Sequence, residues 1–132
     1  MADDIYIEIL KMKAGKPPKV HKDYAKTGPV MMKKYAEKYI KKAKGYTPKK
    51  TGTSAKHYIF DATLTLLTID EAKKQTDCKI VVMTGPSNMK RLARITRGAG
   101  VPDPSKGGVD ACIDAVMAAL VKDAIKTLKK MK

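Results

Sequence analysis

Apolar side chains recur at helical spacing over the last stretch of the chain, residues 109–132, where Ile113, Val116, Leu120, Ala124 and Leu128 share one face. From 115 to 121 no charged or strongly polar side chain occurs, so this helix is expected to be covered on more than one side. The face carrying Met117 and Val121 is the candidate subunit interface. Asp110 and Asp114 fall in its first turns and Lys126, Lys129, Lys130 and Lys132 in its last, which suits the helix dipole at both ends.

Earlier in the chain the period is two. Ile5, Ile7 and Ile9 alternate with Tyr6, Glu8 and Leu10, the pattern of a strand. Residues 11–26 mix Lys with Gly15, Pro17 and Pro18 and have no period, which reads as an extended, mobile, basic connector. A helix over 29–44 follows, opened by Gly28-Pro29 and stopped by Gly45, with Met32, Tyr35, Ala36, Tyr39, Ile40 and Ala43 on its apolar stripe. After a polar loop over 46–56, the stretch 57–70 alternates again. Tyr58, Phe60, Ala62, Leu64 and Leu66 share one parity and Leu67 and Ile69 the other, so a β-bulge or a strand buried on both faces is expected at Leu66-Leu67.

The polar stretch 71–77 reads as a hairpin connection into a central strand over 78–84. Residues 87–97 fit either a short helix capped by Ser87 or a third strand of a meander, with the strand preferred. Residues 98–108, rich in Gly and Pro, read as a long loop. The expected fold is a single α+β domain over 1–132. It is a mostly antiparallel sheet of three to four strands covered by two helices, in the order β-α-β-β-(β)-α.

The 132 residues suit one domain with a real core, and no apolar run is long enough to span a bilayer. The acidic start is unlike a secretory leader, so the expected location is the cytoplasm or a virion. Cys78 and Cys112 each sit among apolar neighbours and read as buried, unbridged thiols.

Charge changes the picture more than composition does. The net charge is +15, carried by 25 Lys and 3 Arg. Residues 11–56 hold 15 of those lysines against two acids, Asp23 and Glu37. Five of the six tyrosines lie before residue 47, and interleaved Lys and Tyr is a pattern that phosphate attraction and base stacking use. The candidate polyanion-binding residues are Lys33, Lys34, Lys38, Lys41, Lys42, Lys49 and Lys50, with DNA the expected partner. Lysine attracts phosphate without the bidentate geometry that reads bases.

No residue set makes a catalytic constellation, and no cofactor, metal or small-molecule substrate is expected. Gly98-Ala99-Gly100 and Gly107-Gly108 precede a helix but match neither the P-loop nor the dinucleotide spacing. Asp110 and Asp114 lie four apart on one helix face, which capping and solvation explain.

The helix ending at Ala43-Lys44, the passage Pro48-Lys49-Lys50-Thr51-Gly52 and the strand opening at Tyr58-Ile59 together resemble the helix, P-x-x-T-G and strand of phage tail-completion or neck proteins. The resemblance covers residues 29–60. It implies a non-enzymatic, ring-forming particle component with its lysines toward nucleic acid. The competing expectation is a free-standing, sequence-independent nucleic-acid binder.

Overall fold

The computed structural model describes residues 4–50 and 56–131. Thr51 and Gly52 of the P-x-x-T-G passage, and Lys132, lie outside them. The chain is α+β: strands β1 (Ile5–Ile9), β2 (Lys13–Ala14), β3 (Tyr46–Thr47), β4 (His57–Asp70), β5 (Gln75–Pro86) and β6 (Ala93–Val101), with helices α1 (Thr27–Lys42) and α2 (Lys106–Lys130).

The sheet has six strands and is mixed, which corrects the expected three or four antiparallel ones. Its order is β3-β1-β4-β5-β6, with β2 paired to β4 off that path. β1 runs parallel to both β3 and β4, and β4-β5-β6 form the antiparallel meander. The parallel pairing arises because α1 lies between β1 and β4 and carries the chain back to the same end of the sheet, where a hairpin cannot reach. Residues 11–26, read as a connector, contain β2 and a second tie at Val20, which is fully buried and bridges to Leu67.

The parity flip in β4 has a plain cause. Pairing with β5 steps from Leu64↔Ile80 to Leu66↔Lys79, so Thr65 is an extra residue. Phe60, Ala62 and Leu64 before it and Leu67 after it are then all buried in one core. β6 takes residues 93–101, so the strand reading of that region holds but is shifted. Gly98 and Gly100 belong to the strand, and the connection to α2 shrinks to 102–105. Gly108 is demanded by packing: a Cβ there would lie 1.9 Å from the Asp103 carbonyl oxygen, where the connection folds back on the helix.

Both helices cover one face of the sheet. α2 packs on β5 and β6, and α1 packs on α2 and reaches β1, β2, β3 and β4. The second surface over the charge-free part of α2 is therefore α1. Met117 is 0 % and Val121 3 % exposed, both inside this chain's own core, so Met117 offers nothing to another subunit. Cys78 on β5 and Cys112 on α2 are buried as expected but joined in a disulfide, which corrects the unbridged reading. Sheet and helix bring the two Cα atoms to 6.2 Å across a separation of 34 residues.

Three outcomes follow from this packing. Leu120→Ala, at a fully buried site facing the sheet, is expected to lower unfolding stability by about 2–5 kcal/mol in urea titrations. Denaturing the purified protein without reductant should expose no thiol to maleimide, and with reductant two. Replacing both cysteines by alanine should cost about 2–4 kcal/mol, since the bridge closes a long loop in the unfolded chain.

Candidate functional site

The helix layer is where the lysines gather, and its geometry follows from two hydrogen bonds. Tyr35 Oη donates to Asp110 Oδ1 at 2.7 Å, and Tyr39 Oη donates to Asp114 Oδ1. Both pairs are 75 residues apart, so α1 and α2 run parallel and in register. Asp110 and Asp114 thus do more than cap the helix, which corrects the reading of them as caps and solvated acids. They anchor the tyrosine row of α1, one helical turn per rung. Burial, then the bond to Asp110, pushes the Tyr35 hydroxyl well above the usual tyrosine range. Tyr39 is raised chiefly by its bond to Asp114.

The row Lys34, Lys38 and Lys42 lies over these rings. Their ammonium groups sit 5.1 to 5.9 Å from the ring centroids of Tyr35 and Tyr39, within cation–π range. The tyrosines are therefore occupied, inward by carboxylates and outward by lysines, and do not offer open faces for base stacking.

The fold sorts the seven predicted lysines rather than pooling them. All are exposed. Lys42 lines a groove of about 370 Å³ together with Lys122, Lys126 and Lys129 of α2, over a floor of Tyr39, Ala43, Ala118, Val121 and Ile125. Lys33 is on the opposite flank of α1, beside Leu10, Met12 and Val30. Lys34 and Lys38 stand over the tyrosines, Lys41 faces solvent, and Lys49 and Lys50 follow β3 in a turn where Lys49 N–H donates to Thr47 Oγ1 at 3.2 Å.

Of the α2 lysines, Lys126 and Lys129 read as dipole compensation and Lys122 carries no assignment in the sequence. Their signal was the spacing 122, 126, 129, which puts three cations on one helical face. Their charge is not balanced locally. The three acids of α2 are directed elsewhere: Asp110 and Asp114 to tyrosines, and Asp123 to Arg97 at 2.6 Å. None of the four groove lysines has a carboxylate within ion-pair distance among the described residues. Elsewhere, His57 bonds Glu8 Oε1 at 2.9 Å and stacks on Tyr6. Among the described residues no three His, Cys, Asp or Glu converge as a metal site. Among the described residues no helix is long and apolar enough to cross a membrane.

No family model and no curated protein matches the chain. Solved structures do. The PelC dodecamer from Paraburkholderia phytofirmans superposes with a TM-score of 0.62 at 7% identity, covering 92% of this chain and 87% of that one. XCC0632 from Xanthomonas campestris, assigned to family DUF330, gives 0.56 at 9% identity over 92% and 83%. Lipoprotein GNA1162 from Neisseria meningitidis gives 0.51 at 11% over 89% and 99%. At these identities the likeness is one of fold. It overturns the expectation of a phage neck component or nucleic-acid binder, since the solved structures it resembles include PelC, a DUF330 member and lipoproteins.

The ladder gives a pH prediction. A tyrosine whose folded-state pKa is raised stabilises the fold fully below about pH 10, where the unfolded residue titrates, and loses that contribution as pH rises toward the folded value. Tyr35→Phe should therefore cost about 0.5–1.5 kcal/mol at pH 8. The gap from wild type should narrow in urea titrations above about pH 10.

Proposed function

We propose that the protein is a non-catalytic binding subunit that assembles with copies of itself in an oxidising compartment and presents its lysine-covered helix layer to an acidic partner protein. The observation that carries this reading is the uncompensated charge at the α1–α2 seam, where four lysines stand together while every α2 acid is directed elsewhere. Lysine brings compact, mobile point charges, which suit carboxylates spread along a partner chain better than a planar, bidentate group.

The Cys78–Cys112 bridge supports the compartment, because disulfides persist where thiols are not kept reduced. The same compartment makes a protein the natural source of the counter-charge. PelC forms a dodecamer and other neighbours are lipoproteins, which supports self-assembly outside the cytoplasm for this chain.

Sedimentation at physiological salt should give a species several times the 14.5 kDa chain. Labelled poly-glutamate should bind with an affinity that falls steeply with salt and drops tenfold or more in Lys38→Glu/Lys122→Glu. A monomer at all concentrations would remove the assembly part of the reading, and no poly-glutamate binding at low salt would remove the docking part.

A further inference from the structure

The groove exists because the two helices differ in length. The offset that pairs Tyr35 with Asp110 and Tyr39 with Asp114 places Lys42, the last residue of α1, opposite Met117. The chain then turns away through Gly45, at φ +90°, into β3. α2 runs on from residue 118 to 130 without a helical neighbour on that side, over about 20 Å at 1.5 Å per residue. Ala118, Val121 and Ile125 continue the stripe that α1 covers further back and form the floor of the groove, Ala118 partly exposed and the other two 3 % and 8 % exposed beneath it. Lys122, Lys126 and Lys129 edge it from α2, and Lys42 closes it at the α1 end.

We propose that this groove is a docking site for an acidic amphipathic helix of a partner protein, which lies along α2 as a continuation of α1. The assignment deepens the acidic-partner reading and rests on it. A helix fits because the groove runs along α2 past the end of α1, with Ala118, Val121 and Ile125 on its floor at the i, i+3, i+7 spacing that receives a helical face. Acidic flanks fit because the α2 lysines span about 10 Å along the axis, more than one headgroup on a small amphiphile can meet. A second copy of this face does not fit, because each chain carries +15 and would set lysines against lysines.

The test uses a labelled 16-residue peptide with Leu at helical spacing and Glu on both flanks, and a scrambled peptide of identical composition, in fluorescence anisotropy at physiological salt. The ordered peptide is expected to bind at least tenfold more tightly than the scrambled one. Lys122→Glu/Lys126→Glu should weaken it tenfold or more, and Lys122→Arg/Lys126→Arg should retain most of the affinity. Ala118→Phe fills the floor without changing charge and should weaken the ordered peptide alone. Lys33→Glu, on the far flank of α1, should change binding less than threefold. Circular dichroism and urea midpoints confirm that each variant is folded.

Equal binding of the two peptides would overturn the helix assignment while leaving the charge-driven docking intact. Failure of both peptides with poly-glutamate still bound would overturn it in the same way, and failure of all three probes would remove both readings. Dodecanoate binding that depends on Lys122 and Lys126, with neither peptide bound, would assign the groove to a small amphiphile and overturn the proposal.

Discussion

The burial of α2 is the constraint on which the rest of the structure depends. A helix with no charge from 115 to 121 has to be covered on two sides, and one sheet face covers only one. β5 and β6 supply that first side, and the disulfide from Cys78 to Cys112 holds it. The second side falls to α1, and a helix laid against both α2 and the sheet has only its outer half free for polar residues. The lysines of α1 are outward because no other half remained.

The tyrosine–aspartate rungs settle how α1 is laid. Apolar packing alone tolerates sliding of one helix along another, whereas two hydroxyl–carboxylate bonds at a constant offset admit one register. The rungs also direct two acids to tyrosines rather than into ion pairs with the lysines, and Arg97 pairs with the third. An interaction that orders the fold therefore leaves a net positive seam on its surface.

Much of this was legible where the signal is local. Alternation marked β1 and β4, the parity flip at Leu66-Leu67 marked the extra residue at Thr65, and the stripe of α1 named Met32, Tyr35, Ala36 and Ile40, all buried. What was missed is non-local. Two isolated residues pair parallel to β4 as β2 within a stretch whose prolines and lysines hide any period. The two cysteines lie in elements that become neighbours only once the sheet is built. β6 ran through Gly98 and Gly100, which composition assigned to a loop, because an edge strand, paired on one side only, can carry glycine where a central strand cannot. The site was half legible for the same reason. Lysine density was plain, but only the parallel helices bring Lys42 beside Lys122, Lys126 and Lys129 and part it from Lys33.

The apolar floor of the groove is small, with Val121 and Ile125 only 3 % and 8 % exposed, and the lysines on its edges bear on its exposure as well. Their aliphatic stems can lie along the floor at Val121 and Ile125 while the ammonium groups stay in water, which shields the apolar stripe when the groove is empty. The same arrangement discriminates between occupants. A basic or neutral apolar segment displaces the stems and leaves the ammonium groups without a counter-charge, whereas an acidic one meets them as it covers the stripe. Solubility when empty and selectivity for an acidic occupant thus rest on the same four side chains.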